Sequence, residues 1–318
     1  MSKPKAAFYW AASCGGCEIA VLAIHEKIID VSQAVDIVFW PVAIDIKYKH
    51  VEAMEDKEID VCFFNGAIRT EENEHMAKLL RQKSKILIAY GSCAHEGCIP
   101  GLANFATKEE IFDRAFLNNP SIDNPDGILP QERTQVPEGE LKLPRFFKDV
   151  KTLGQTVDVD FFMPGCPPVP EQTLKVVTAI LEGNLPPKGS IVGVDEKTVC
   201  EQCKHEKQEK KITSIKRPHE VIIKDDECIL EQGVICLGPA TRAGCGAQCI
   251  DADMPCRGCY GPPEGVMDQG AKMCSALASI IDANTLEEIE KVVDSIADPA
   301  GTFYRFGMPA STLRRTRV

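Results

Sequence analysis

Residues 6–29 read AAFYWAASCGGCEIAVLAIHEKII, a stretch in which two cysteines separate a short apolar run from a helical pattern. Such an apolar run is typical of a strand that is buried on both faces of a parallel sheet. Similar runs recur along residues 1–188, and helical patterns such as EQTLKVVTAILEG lie between them. These further runs are VDIVFWPV, IDVCFFNG, KILIAYGS and VDVDFFMP. The alternation predicts a flavodoxin-like, doubly wound α/β domain with a parallel sheet.

The texture of the sequence changes after PPKG at 186–189. Residues 200–265 hold eight of the fifteen cysteines, many glycines and prolines, and little apolar periodicity. We therefore expect residues 1–188 to form the α/β domain and residues 189–318 to form a loop-rich domain that metal–thiolate bonds help to fold. The last part of that domain returns to helical patterns, with KMCSALASII as one helix and Thr285 and Glu288 as the capping box of another.

Three polar segments have two interpretations each. Residues 117–145 carry five prolines and interrupt the alternation, which predicts a long loop that is either a solvated excursion or a docking loop for a partner. KHEKQEKK at 204–211 and RRTRV at 314–318 are basic islands. They are either solvated charge runs or docking surfaces for an electron carrier.

Composition narrows the class of protein. The 318 residues suggest about two domains. The net charge of −11, from 36 basic and 47 acidic residues, disfavours a nucleic-acid binder. No apolar run approaches the roughly 18 residues of a membrane span, and no secretory or twin-arginine signal is present. We therefore expect a cytoplasmic protein whose clustered cysteines bind metal. Neither a G-x-G-x-x-G fingerprint nor a P-loop is present.

Four cysteines directly follow the ends of predicted strands. Cys14 and Cys17 follow the first strand, Cys93 the fourth and Cys166 the fifth. Because the carboxyl ends of parallel strands form the ligand crevice of an open α/β sheet, these thiols are expected to converge. Four thiolates complete the ligand set of either a zinc ion or a 4Fe–4S cluster.

The second part of the chain holds a denser set of eight cysteines. They are Cys200, Cys203, Cys228, Cys236, Cys245, Cys249, Cys256 and Cys259. Eight thiols are enough for two four-thiolate sites, and their spacing leaves open whether these hold zinc ions or iron–sulfur clusters.

Five motifs, in order, resemble those of the small subunit of nickel–iron hydrogenases. The first three are similar to the motifs that bind the cluster nearest the nickel–iron centre of that family, and the last two to its C-x-G-P-x-T-x3-C and P-C-x-x-C signatures. They are CGGC at 14–17, GSCAHEG at 91–97, PGCPP at 164–168, CLGPATRAGC at 236–245 and PCRGC at 255–259. The resemblance spans nearly the whole chain and implies an electron-transfer subunit.

The resemblance implies three clusters, with all ligands supplied by cysteine. The proximal 4Fe–4S ligands are Cys14, Cys17, Cys93 and Cys166; the medial ones are Cys245, Cys249, Cys256 and Cys259; the distal ones are Cys200, Cys203, Cys228 and Cys236. Periplasmic members have histidine at the position of Cys200. They have proline at the position of Cys249, and their medial cluster is 3Fe–4S. The alternative for the medial site is a 3Fe–4S cluster that does not use Cys249.

One subgroup resembles the chain most, through the missing export signal and GTFYRFGMP at 301–309. It is the cytoplasmic methyl-viologen-reducing, deazaflavin-non-reducing hydrogenase. The resemblance implies a nickel–iron large subunit, a 2Fe–2S adaptor subunit and electron-bifurcating heterodisulfide reductase as partners. The alternatives are a deazaflavin-reducing or other cytoplasmic hydrogenase, a quinone-oxidoreductase B-type subunit and a zinc-binding interaction protein. No ferredoxin-type C-x2-C-x2-C-x3-C-P run, expected of the deazaflavin-reducing relative, is present.

The remaining candidates are cysteines and polar residues near these ligands. Cys62 and Cys274 are interpreted as core thiols, and Cys98 as a non-ligand close to the proximal site. His95 and Glu96 are interpreted as ordinary loop residues, with tuning of the cluster as the alternative. His205 is an alternative distal ligand in place of Cys200.

Overall fold

Five parallel strands form the central sheet of the structure, a computed structural model that describes residues 3–313. The sheet order is β2-β1-β3-β5-β9, which is the 2-1-3-4-5 order of a flavodoxin-like fold once the strands outside this sheet are set aside. The strands are β1 (Lys5–Trp10), β2 (Asp36–Phe39), β3 (Ile59–Asn65), β5 (Ser84–Tyr90) and β9 (Phe161–Met163). All five predicted strands and the predicted fold class are thereby confirmed. The basic segment 314–318 lies outside the described residues.

Two small antiparallel sheets were not predicted. β4 (Ile68–Thr70) pairs with β8 (Phe146–Lys151), and β6 (Arg133–Val136) pairs with β7 (Gly139–Lys142). The second pair is a hairpin inside the segment 117–145, so the later half of the predicted long loop contains two strands. The hairpin residues are mostly exposed and carry no alternation of apolar and polar side chains, which is why periodicity did not reveal them.

Helices connect the strands and close the chain. The α-helices are α1 (Gly16–Leu22), α2 (Lys27–Ala34), α3 (Tyr48–Glu52), α4 (Glu71–Lys83), α5 (Ser92–Glu96), α6 (Cys98–Gly101), α7 (Lys108–Phe112), α8 (Pro170–Leu181), α9 (Gln248–Asp251), α10 (Gln269–Ala278), α11 (Leu286–Asp294) and α12 (Pro299–Phe303). Short 3-10 helices cover Leu102–Phe105, Val199–Glu201, Pro218–Glu220, Ile229–Gln232 and Gly238–Ala240, and a π-helical turn covers Asp113–Leu117. The Thr285–Glu288 capping box is confirmed, since the Glu288 N–H donates to Thr285 Oγ1 at 3.3 Å.

The first predicted helix is two helices. EIAVLAIHEKII spans α1 and the start of α2, and the backbone turns between them at His25, whose φ is 57°. No glycine or proline lies at this turn, so the helical pattern of the sequence continues across it and does not predict the break.

The sheet is buried on both faces, as its apolar runs predict. Alternate residues of β1 lie in two separate clusters, with Ala7 and Tyr9 in one and Ala6 and Phe8 in the other. The polar carboxyl edge of the sheet is therefore left as the place where loops, and the cysteines on them, can gather.

The later part of the chain buries more apolar surface than predicted. A third cluster joins residues from the segment 199–250 to α10, α11 and α12, including Val199, Leu230, Leu237, Met273 and Phe303. Many of its members come singly from turns and short helices, so they form no apolar periodicity from which they could be predicted. Within residues 3–313, no helix is long and apolar enough to cross a membrane.

Asp160, just before β9, is an ionised residue on which the sheet depends. Its Oδ2 accepts hydrogen bonds from Arg81 Nη1 at 2.5 Å and from the Leu87 N–H at 2.8 Å. Burial alone would raise the pKa of Asp160, but these hydrogen bonds outweigh it and hold the pKa below its usual value.

Asp160→Asn is expected to lower the free energy of unfolding by about 2 kcal/mol at pH 7, because it removes hydrogen bonds to a charged group. Since the depressed pKa makes this stabilisation fade as pH falls, the difference from wild type should narrow below about pH 4 in chemical denaturation. Asp158→Asn, at an exposed ion pair with Lys188, is the matched control and should change little. Equal losses in the two variants would contradict the role of Asp160.

Candidate metal centres

The four cysteines predicted to converge at the carboxyl edge of the sheet do so. Cys14 precedes α1 and Cys17 is its second residue, Cys93 lies in α5 directly after β5, and Cys166 follows β9. The loops that carry them are joined by their backbones, since the Ser92 N–H donates to the Gly165 carbonyl at 2.9 Å. Burial raises the pKa of the Cys17 thiol, and the neighbouring thiols of Cys166 and Cys14 raise it further. We call these four residues the proximal set.

Glycine at position 91 makes room for this set. Gly91 has a φ of 83°, and a Cβ placed there would run into Cys17 Sγ and stand 3.5 Å from the Gly165 carbonyl oxygen. The Cys17 thiol therefore lies directly against the turn between β5 and α5. Only a residue without a side chain allows this approach.

A fifth thiol, that of Cys98, stands at the proximal set. Cys98 is fully buried, and its Sγ lies 3.7 Å from Cys166 Sγ and also hydrogen-bonds with the thiol of Cys93. Its backbone N–H donates to the Phe306 carbonyl at 2.8 Å, and Pro309 packs against the neighbouring Gly97. The GTFYRFGMP segment thus closes over this side of the proximal set.

The distal set, defined as Cys200, Cys203, Cys228 and Cys236, gathers around short 3-10 helices. A Cβ on Gly238 would lie 3.0 Å from Cys200 Sγ and 3.7 Å from Cys236 Sγ, so one turn holds both thiols. Burial raises the pKa of Cys200 to about 12, with contributions from the thiols of Cys236, Cys228 and Cys203. All four thiols therefore lie near one another.

His205 makes hydrogen bonds that support the loop of Cys203. Its backbone N–H donates to Cys203 Sγ at 3.3 Å, and its ring Nδ1 is 2.8 Å from the Glu227 carbonyl oxygen. Its Nε2 faces Asp253 at 3.8 Å. The residue supports the loop of Cys203, which favours Cys200 over His205 as the fourth member of the distal set.

The medial set, defined as Cys245, Cys249, Cys256 and Cys259, lines one cavity of about 390 Å³. We call it the thiol cavity; Cys166 of the proximal set lines it as well. Burial raises the pKa of Cys259 to about 12, and the thiols of Cys245, Cys166 and Cys249 add to the effect. Cys249 therefore lies in the same cavity as the other three cysteines of the predicted set.

The three sets follow one another in space. Cys259 of the medial set and Cys166 of the proximal set line the thiol cavity together, and the Ser92 hydroxyl donates to the Cys259 carbonyl. At the other end, the Cys256 N–H donates to Cys236 Sγ of the distal set at 3.3 Å. The medial set thus lies between the proximal and the distal sets, as a relay requires.

The chemistry of these thiols fits multi-iron clusters. Burial and neighbouring thiols raise the pKa of at least one cysteine in each set, namely Cys17, Cys200 and Cys259. A positively charged centre would hold such ligands in their ionised form. Within the described part of the chain, no three His, Cys, Asp or Glu residues are arranged to hold a single metal ion.

The cysteines outside the three sets are placed differently from one another. Cys62 is fully buried in β3, as predicted. Cys274 is exposed on α10, so its interpretation as a core thiol is wrong. The helix buries Met273 and Leu277, and one residue beyond Met273 turns the side chain by roughly 100° toward solvent.

Glu96 is buried in α5 and His95 is half-buried there, so neither is an ordinary loop residue. Burial lowers the pKa of His95 to about 4 and raises that of Glu96 to about 8. A Cβ on Gly261 would lie 2.6 Å from a Glu96 carboxylate oxygen, so the segment that follows the medial cysteines covers this carboxyl. The sequence reveals no part of this contact, because it joins residues that are far apart along the chain.

Comparison with known proteins shows the family of the chain. The family model described as the NADH ubiquinone oxidoreductase 20 kDa subunit matches residues 14–180. The chain is 40% identical to the iron–sulfur subunit of the F420-non-reducing hydrogenase of Archaeoglobus profundus, over 98% of both chains. It is 39% identical to a subunit of the F420-non-reducing hydrogenase of Methanothermobacter marburgensis, over 98% of this chain and 96% of the relative.

A solved structure shows the same fold over most of the chain. It is that of the recombinant [NiFeSe] hydrogenase from Desulfovibrio vulgaris Hildenborough, with a TM-score of 0.52 and 15% identity. The match covers 89% of this chain and 99% of that one. The chain therefore belongs to the small subunits of nickel–iron hydrogenases, as the iron–sulfur, electron-transferring partner of a large subunit in a hydrogenase of the F420-non-reducing type.

Proposed function

We propose that the chain carries three 4Fe–4S clusters in series, held by the proximal, medial and distal sets. The observation that carries the proposal is the pair of junctions between sets, at Cys166 with Cys259 and at Cys236 with Cys256. When bound, such clusters supply one-electron transfer. The roles of this chain are to hold twelve cysteines as thiolates, to bury them and to fix their order from the large subunit outward.

The twelve thiols of the three sets support a role of this chain in electron conduction. We propose that the large subunit splits dihydrogen at a nickel–iron centre, and that electrons leave through the proximal, medial and distal sets in that order. Backbone N–H groups that donate to Cys14, Cys203 and Cys236 stabilise thiolate sulfur and help to set cluster potentials.

The acceptor we propose is a 2Fe–2S adaptor subunit that passes electrons to heterodisulfide reductase in the cytoplasm, where a flavin bifurcates them. Support comes from the all-cysteine medial and distal sets and from the full-length similarity to the iron–sulfur subunits of F420-non-reducing hydrogenases. All-4Fe–4S relays suit this acceptor, because such clusters reach potentials near those of ferredoxins, about −400 mV.

The acceptor can be tested on the assembled complex under hydrogen. We expect ferredoxin to be reduced only when heterodisulfide is also present, because bifurcation couples the two reductions. Ferredoxin reduction that ignores heterodisulfide would contradict this proposal, and reduction of the deazaflavin F420 would assign the chain to the deazaflavin-reducing alternative.

A quinone-oxidoreductase B-type subunit is the second candidate, because the family model that matches residues 14–180 is named after such a complex. The model stops before the medial and distal cysteines, whereas the hydrogenase relatives extend through them. The later eight cysteines therefore favour the hydrogenase.

Cys98 gives a test of the proximal assignment. Because Cys98 donates its hydrogen bond to Cys166 and the proximal set is complete without it, Cys98→Ser is expected to keep the full iron content per chain. Iron and acid-labile sulfide analysis checks this. A loss of about four irons would make Cys98 a ligand.

A further inference from the structure

Arg257 stands between two cysteines of the PCRGC motif and lines two cavities at once. One is the thiol cavity of the medial set. The other, of about 320 Å³, is lined by four further basic residues, and we call it the cationic cavity. These four residues are Lys216, Arg217, His219 and Arg305. Arg257 is thus placed where positive charge meets the thiols.

Arg257 has no carboxylate as an ion-pair partner in the part of the chain that the structure describes. Within residues 3–313, neither Arg257 nor Arg305 forms an ion pair. Asp298, the acidic residue in the lining of the cationic cavity, is engaged as the cap of α12, where its Oδ1 accepts from the Gly301 N–H at 3.0 Å. Both arginines line the cationic cavity, and Arg257 lines the thiol cavity as well.

The backbone fixes Arg257 at the junction of the medial and distal sets. The residue before it, Cys256, donates its N–H to Cys236 Sγ at 3.3 Å and accepts from the Leu237 N–H at 2.9 Å. Burial lowers the pKa of Arg257 and so does Arg305, whereas Cys249, Cys236 and Cys256 raise it. Thiols of both sets therefore lie within electrostatic reach of this one cation.

Two partly buried cations without an anion are unfavourable, and the thiolates of two clusters would supply the missing negative charge. A cluster gains one negative charge when it is reduced, so a nearby cation stabilises the reduced form and raises the reduction potential. Arginine suits this task because its guanidinium stays charged under all physiological conditions.

We propose that Arg257, reinforced by Arg305, is a potential-setting residue that raises the reduction potential of the medial and distal clusters. The inference rests on the proposed function, because it presupposes clusters in these two sets. In an acidic chain with twelve ligand thiolates, this cation keeps the middle of the relay reducible by electrons from the proximal cluster.

Redox titration followed by electron paramagnetic resonance tests the proposal on the assembled hydrogenase. Arg257→Gln is expected to lower the midpoint potential of at least one cluster by about 59 mV, which is about a tenfold change in the equilibrium constant of its one-electron reduction. Arg257→Lys should restore most of the wild-type value. Arg217→Gln, on the exposed rim of the same cavity, removes an equal charge and should leave the potentials in place.

Arg305→Gln keeps the test decisive if Arg257→Gln fails to assemble, because Arg305 lies outside the ligand motifs. It should shift the potential in the same direction by a smaller amount. Full iron content with unchanged potentials in Arg257→Gln or Arg305→Gln, or an equal shift in Arg217→Gln, would overturn the inference. Failure of the proposed function would look different, since the wild-type complex itself would then lack the iron for these clusters.

Discussion

Cys14→Ser in the assembled hydrogenase is expected to abolish hydrogen-dependent reduction of methyl viologen. Cys14 directly precedes α1, where its Sγ accepts from the Gly16 N–H at 3.4 Å and its thiol is coupled to Cys17. Serine offers a hard, weakly acidic hydroxyl in place of a thiolate, so the proximal cluster would lose a ligand at the first step of the path. The rate of viologen reduction under hydrogen measures the effect.

Cys274→Ser is the matched control for this substitution. Cys274 is an exposed thiol on α10 and belongs to none of the three sets. Activity in this variant should equal that of the wild type. Full activity in Cys14→Ser, with Cys274→Ser equally active, would overturn the proximal assignment.

Gly91→Ala is expected to remove the proximal cluster without touching a ligand. The added methyl group would overlap Cys17 Sγ. The positive φ of Gly91, with a ψ of 161°, would cost roughly 1–3 kcal/mol for a residue with a Cβ. Because the Gly165 carbonyl also lies close to this turn, the Cys17 thiol has to move. We predict a loss of about four irons per chain and of hydrogen-dependent activity, measured by metal analysis and viologen reduction.

Gly183→Ala separates the two effects. Gly183 also has a left-handed backbone, with a φ of 70°, but a Cβ there meets no atom within 4 Å. This variant should therefore show the backbone strain, as a lower unfolding temperature, while it keeps its iron. If both variants kept their iron, Cys17 would not be held at Gly91 in the way the structure shows.

The sheet could be predicted because each of its strands is a local pattern. Strands such as β3 and β5 are continuous apolar runs, and the cysteines of the proximal set follow them directly in the sequence. The rule that ligands gather at the carboxyl edge of such a sheet was then enough to bring Cys14, Cys17, Cys93 and Cys166 together.

The residue pattern alone shows eight later cysteines but does not divide them into the medial and distal sets. CxxC pairs occur in zinc sites and iron–sulfur sites alike, so the division into medial and distal sets came from the family resemblance. In the structure, Cys249 faces Cys245 and Cys259, and Cys200 shares a turn with Cys236. These contacts depend on how loops cross in space, which residue spacing does not encode.

Features that depend on long-range packing could not be predicted from the sequence. Glu96 is buried because the segment around Gly261 covers it, and Arg257 reaches two thiol sets because Cys256 bonds to Cys236. The hairpin of β6 and β7 has no buried face to leave a periodic pattern. In each case the determining contact lies many residues away, so no local signal exists.

Iron, zinc and acid-labile sulfide per chain, measured on protein purified without oxygen, test the central claim most directly. We predict about twelve irons with matching sulfide, from three 4Fe–4S clusters. About eleven irons would indicate a 3Fe–4S medial site and remove Cys249 from the ligands. About four irons, or zinc in place of iron, would contradict the three-cluster relay.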